Sequence, residues 1–136
     1  MAWLRWCVVF AVGLFALTAS AQAPQKRVAL IIANSAYQGE RVLENPARDA
    51  ELVRAALAQA GFTVRVAANL TQQQMTAELQ RFRRDVEGAQ VGLIYFAGHG
   101  VRVGQTNWML PVDFRADEVK QDEDFELFAI AHRNMT

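Results

Sequence analysis

Gly98-His99-Gly100 is the stretch of this chain best suited to chemistry. Imidazole is the side chain whose ordinary pKa lets it give and take protons near neutrality. Glycine on each side removes side-chain bulk, so a substrate backbone can come close to His99. It also leaves the Gly100 N–H available to donate to a developing oxyanion. A purely structural role, with two glycines shaping a turn around a half-buried histidine, is the alternative reading of the same tripeptide. A phosphate cradle fits less well, because no helix start follows Gly100 to supply backbone amides. His132, the second histidine, lies in a charged tail and reads as a solvated residue. With no His-x-x-x-His or comparable spacing, neither a metal site nor another cofactor is expected.

The elements that must position His99 are legible from the apolar pattern. Arg27 to Ala33 is a continuous apolar run rich in β-branched residues, as in a strand buried on both faces of a parallel sheet. A loop from Asn34 to Glu44, with Gly39 inside it, leads to Asn45-Pro46, an expected N-cap and first helical residue. Leu52, Val53, Ala56, Leu57 and Ala60 form the expected apolar stripe of that helix, and Gly61 its left-handed stop. Phe62, Val64 and Val66 alternate with Thr63 and Arg65, as in a strand with one less buried face. Thr71 to Gln74 matches a capping box, and Met75, Leu79, Phe82 and Val86 continue along one helical face. Val91 to Phe96 is a third apolar strand. The order β-α-β-α-β implies parallel strands with right-handed crossovers. If the first strand is central, ligands bind beyond the carboxyl ends of strands one and three, where neighbouring crossovers take opposite faces. Asn34, Ser35 and Tyr37 arrive there from one strand and Gly98-His99-Gly100 from the other.

Beyond Gly100 the pattern changes. Val101 to Val103 and Trp108 to Leu110 read as a hairpin across Gly104 to Asn107, closed by Pro111 and Asp113. Seven of the 14 acids lie from Asp113 onward, and Phe125, Leu127, Phe128 and Ile130 give this tail helical or strand character. Three parallel strands make half of a typical doubly wound sheet, so the sheet is expected to be incomplete at its C-terminus.

Composition bounds the function. The 136 residues carry 14 Lys and Arg against 14 Asp and Glu, so a general basic surface for nucleic acid is excluded. A single cysteine, Cys7, excludes a disulfide framework and a Cys-rich zinc module. Arg5, the apolar run Trp6 to Thr18 and Ala19-Ser20-Ala21 have the three-part pattern of a secretory signal over residues 1–21. The run is shorter than the roughly 20 apolar residues of a membrane span. The protein is therefore expected to be exported, periplasmic or secreted, with membrane contact only through that signal. Cys7 does not stand where a lipoprotein is acylated. Cleavage after Ala21 would remove it, together with Arg5, and leave a net charge of −1.

Four blocks in order resemble the bacterial caspase-like, metacaspase-related cysteine peptidases. These are Arg27 to Tyr37, Leu43-Glu44-Asn45-Pro46-Ala47-Arg48-Asp49-Ala50, Tyr95-Phe96-Ala97-Gly98-His99-Gly100, and Asn107-Trp108-Met109-Leu110-Pro111-Val112-Asp113. The resemblance covers roughly Arg27 to Asp113. It implies an α/β, three-layer α-β-α caspase-haemoglobinase-like fold with a mainly parallel sheet over residues 27–136. It also implies a Cys-His peptidase acting on polypeptides: a thiolate attacks the scissile carbonyl and imidazole protonates the leaving amine. On this resemblance His99 matches the general acid/base and Gly100 the oxyanion-hole N–H. Asn34, Ser35 and Tyr37 fall where the family builds part of its substrate pocket. Asp49 matches an acidic position of the first helix, where it also complements the helix dipole.

Ala33 and Arg48 stand where the family often has Gly and Asn, which are mild departures. The serious one is the nucleophile. The family carries it at the end of the next parallel strand, typically as Asp-x-Cys, and Cys7 lies upstream of the first strand. The expectation is the N-terminal part of an exported caspase-like endopeptidase, truncated before the nucleophile strand and inactive as given. The alternatives are a non-catalytic pseudo-peptidase that binds peptides or regulates, and an unrelated α/β binding domain with a structural His99. Substrate preference and oligomeric state are not legible.

Overall fold

The structure, a computed structural model, describes residues 25–37 and 42–131. The leader with Cys7, Gly39 and His132 lie outside the described residues.

Strand β1 (Arg27–Ala33) lies between β2 (Thr63–Ala68) and β3 (Val91–Ala97), and pairs with both in parallel. Its apolar run is the centre of the core, with Leu30, Ile31 and Ile32 wholly buried. Helix α1 (Pro46–Gln59) connects β1 to β2, and α2 (Gln72–Asp85) connects β2 to β3. These crossovers travel in opposite directions across β1, so two of the same hand put their helices on opposite faces. The packing follows that rule. Leu30 and Ile32 meet Met75, Leu79 and Phe82 of α2, whereas Ile31 and Ala33 meet Ala50, Val53 and Leu57 of α1. Helix, sheet and helix form the three layers, and the point where the crossovers diverge lies between the ends of β1 and β3.

Local signals set the helix ends. Thr71 accepts from the Gln74 N–H at 3.3 Å while the Gln74 side chain accepts from the Thr71 N–H at 2.9 Å, closing the capping box. Such a cap is worth about 1 kcal/mol. Asp113 adds a second acceptor to the same helix start, 3.0 Å from the Gln72 N–H. Gly61 has φ +81° after α1, the left-handed stop its position implies.

Four expectations need correction. Asn45 occupies the N-cap of α1 but has helical dihedrals, and its side chain makes no capping hydrogen bond. The buried line of α1 runs through Ala50, Val53 and Leu57, and Leu52 is 63% exposed. At 100° per residue, Leu52 stands well off the line joining those three. In β2, an edge strand, Val66 is exposed, while Arg65 lies half-buried against α2. There its guanidinium is 3.1 Å from Glu78 and 2.5 Å from Asp85. Finally, β4 (Gly100–Val103) and β5 (Thr106–Met109) are joined by two residues rather than four. Gly104 has φ +58° at the first central position, where type II′ hairpin turns place glycine.

The acid-rich tail adds 3-10 turns at Ala116–Glu118 and Asp122–Asp124, a short helix α3 (Phe125–Phe128) and a two-residue strand β6 (Ile130–Ala131). β6 pairs antiparallel with β5, giving a second three-stranded sheet in the order β4-β5-β6. Trp108, Phe114 and Ala129 form its small core. No helix of the described residues is long and apolar enough to cross a membrane.

Candidate active site

The chain leaves β1 at Ala33 and β3 at Ala97, which are register partners. The Asn34 N–H donates to the Ala97 carbonyl at 2.8 Å, so the strand ends are tied side by side. His99 stands two residues beyond Ala97, half-buried. Its backbone is held in a closed circuit of hydrogen bonds. The His99 N–H donates to the Tyr37 hydroxyl at 3.0 Å, and that hydroxyl donates to the Leu110 carbonyl at 2.8 Å. The Leu110 N–H then donates back to the His99 carbonyl at 2.9 Å. The Tyr37 and His99 rings also meet edge to face, 4.5 Å between centroids.

Asn34 makes the second link. Wholly buried, it donates to the Leu110 carbonyl at 3.3 Å and to the Met75 sulfur at 3.6 Å, and accepts from the Leu70 N–H at 2.9 Å. One amide thus joins β1, the entry to α2 and the exit of the hairpin. Asn69 does similar work for the loop. In the left-handed region at φ +53°, it accepts from the Ser35 and Ala36 N–H groups at 2.9 Å each. Of the three first-loop residues singled out in the sequence, Ser35 alone is half-exposed. Asn34 and Tyr37 are buried and reach the site through their hydrogen bonds.

The flanking glycines differ in role. A Cβ on Gly98 would stand 2.7 Å from the Tyr37 hydroxyl and 2.7 Å from Phe96 Cζ, so a side chain here would force one of those rings to shift. Gly100 begins β4, opposite Met109. The bond from Leu110 N–H to the His99 carbonyl makes Gly100 and Met109 a non-hydrogen-bonded pair. The Gly100 N–H is therefore directed away from β5.

Next to Gly98 a cavity of 310 Å³ opens between β3 and the start of α1. Glu44 and Asp49 put two carboxylates on its wall, with Pro46 and Tyr95 as apolar flanks. Among the described residues no three His, Cys, Asp or Glu side chains are grouped so as to hold a metal ion.

Burial raises the pKa of the Tyr37 phenol, against the opposing pull of its hydrogen bonds to the His99 backbone and the Asn34 side chain. The raised pKa means that the fold holds the phenolic proton more tightly than the unfolded chain does. Stability from this group is complete below the unfolded value of about 10 and falls as pH rises from there through the folded value. Tyr95→Phe leaves Tyr37 as the sole phenol. In that variant, alkaline absorbance titration should give a higher midpoint folded than in urea; coincident midpoints would refute the burial argument.

Two helices on opposite faces of a parallel sheet, with a glycine-flanked histidine at the switch point, define an open-sheet α/β domain. Within that class the chain belongs to the caspase-domain family, Peptidase C14, whose family model matches residues 26–130. It is also similar to mucosa-associated lymphoid tissue lymphoma translocation protein 1 of Homo sapiens, at 32% identity over 87 residues, and equally to the Mus musculus homologue. Those residues are 64% of this chain but 11% of the human and 10% of the mouse protein, so the chain spans about a tenth of these relatives.

Proposed function

We propose that this domain supplies the acid/base half of a Cys-His endopeptidase centre, in a protein exported by its first 21 residues. The observation that carries the reading is the circuit through Tyr37 and Leu110, which fixes the His99 backbone at the mouth between β1 and β3. A thiolate attacks the scissile carbonyl, the Gly100 N–H donates to the resulting oxyanion, and His99 gives its proton to the leaving amine. His99 then takes a proton from the water that releases the acyl group. The thiol comes from outside the described residues, because the sole cysteine of the 136 residues is Cys7. Asn34 and Tyr37 act as positioning residues. The Glu44 and Asp49 carboxylates suit a Lys or Arg side chain preceding the cleaved bond. Substrates are polypeptides.

The cysteine count also favours a second reading, a non-catalytic peptide-binding domain of the same family. Reporter hydrolysis separates the two. We expect no thiol-dependent cleavage of Arg- or Lys-terminated peptides by the 136-residue chain. Cleavage should appear in a longer product translated from the same locus, and be lost on His99→Ala and on alkylation. A longer product that cleaves equally well without His99 would sink the peptidase reading. One that binds such peptides but never cleaves them would establish the second.

A further inference from the structure

A cavity of 250 Å³ opens on the hairpin, lined by Val101, Leu110, Phe114, Ala116, Val119 and Phe125. None of these residues carries a polar side-chain atom. The Phe114 and Phe125 rings stack with 5.9 Å between centroids, which gives the cavity a firm aromatic wall. Its volume falls below the roughly 300 Å³ at which small-molecule pockets begin, and suits one side chain.

The hairpin ladder fixes where this cavity lies. Gly100 pairs with Met109 and Val101 with Trp108, so the next step of the ladder sets His99 opposite Leu110. The Leu110 N–H donates to the His99 carbonyl at 2.9 Å, and the Tyr37 hydroxyl bridges the other half of that pair. Residues directly opposite in an antiparallel pair share a face, with Cβ atoms about 5 Å apart. Residues two apart along one strand share a face as well. Leu110 and Val101 therefore stand on the same side of the hairpin as His99, one across from it and one further along. The cavity with Glu44 and Asp49 adjoins Gly98 instead, on the β3 side. Two cavities of opposite character thus flank the histidine.

We propose that the apolar cavity receives a hydrophobic side chain of the leaving segment of a polypeptide substrate, from the first or second residue after the cleaved bond. The assignment rests on the acid/base reading of His99. Imidazole gives its proton to the leaving amine, so the leaving segment passes His99 on the side opposite the residue held by Glu44 and Asp49. The cavity on that side is the apolar one, continuous with the site through Leu110 and Val101. A charged side chain is disfavoured there, because it would lose its hydration and find no partner. A second copy of this chain is disfavoured too. An isologous contact would set the acid-rich stretch from Asp113 onward against itself.

The test uses the 136-residue chain with leucyl-, seryl- and lysyl-glycinamide, which carry the free amine that a cleavage would leave. Leucyl-glycinamide should take up saturation from the protein at its methyl groups. It should also move the His99 Cε1–H resonance, which is assigned by its loss in His99→Ala. The seryl and lysyl peptides should bind at least about tenfold more weakly. Ala116→Phe, at an exposed position on the rim, should plug the cavity and abolish both signals. Val119→Thr keeps the shape, adds a hydroxyl and should weaken both several-fold. Leucyl binding that leaves His99 unmoved, or that survives both variants unchanged, would overturn the subsite. Self-association of the chain that the leucyl peptide disperses would overturn it as well, in favour of a second copy. In the longer product, kcat/KM for an Arg-Leu bond should exceed that for an Arg-Ser bond by about tenfold. Equal values would overturn the subsite and leave the peptidase reading standing. No cleavage of either bond, with leucyl binding beside His99 intact, would sink the peptidase reading and keep the cavity as a peptide subsite.

Discussion

Gly98→Ala is expected to destabilise the domain by about 3 kcal/mol, the sum of overpacking and a disturbed hydrogen bond. The new Cβ would lie 2.7 Å from the Tyr37 hydroxyl, 2.7 Å from Phe96 Cζ and 3.2 Å from Asn34 Cβ. Neither ring is free to swing aside, because Tyr37 is 5% exposed and bonded at its oxygen, while Phe96 packs against the α2 face of the core. The least costly escape moves the phenol and breaks the circuit that holds His99. For a domain near 100 residues the midpoint of thermal unfolding should fall by roughly 12–24 °C. Gly100→Ala is the control. Its Cβ would meet only the Trp108 carbonyl, at 3.3 Å, and should cost less than half as much as the change at 98. Equal melting temperatures for Gly98→Ala and the parent would remove the steric argument.

The second large effect is a coupling between Asn34 and Tyr37. Asn34→Ala strands the buried Leu70 N–H and empties a packed position, at a cost of about 3 kcal/mol. Tyr37→Phe takes the acceptor from the His99 N–H, at a cost of about 1–2 kcal/mol. Each single change leaves the Leu110 carbonyl with one of these two donors, and only the double change removes both. The double variant should therefore lose about 1–2 kcal/mol more than the sum of the singles in urea unfolding. Additivity within about 0.5 kcal/mol would mean that the carbonyl is not shared as the geometry indicates.

Much of this fold is legible in the sequence because its signals are local. The strand Arg27–Ala33, the Thr71–Gln74 box and the stripe Met75, Leu79, Phe82 each announce themselves within one or two turns of chain. The central place of β1 is only a condition in the sequence, because right-handed crossovers also allow the order 1-2-3; once the sheet supplies it, the meeting of Asn34 and Tyr37 with His99 follows. Readings that relied on neighbours fared worse. Leu52 looks like a core residue until the sheet shows which line of α1 it receives. Val66 looks buried until β2 proves to be an edge. Asn69 and the Leu110 carbonyl went unread for different reasons. An asparagine at the end of a strand is one turn signal among many, and a carbonyl has no letter in the sequence.

Leu110 carries a consequence for anyone who mutates this protein. Its contribution to the site is the backbone carbonyl that Asn34 and Tyr37 share and the N–H that returns to His99. Every amino acid brings that same carbonyl, and all but proline bring the N–H. Proline apart, a scan of single substitutions will register position 110 only through its apolar side chain, which packs beside Trp108 and Phe114. The most connected acceptor of the site is thus hidden from genetics. It becomes visible only when the chain chemistry itself is altered, by replacing the amide that follows it with an ester.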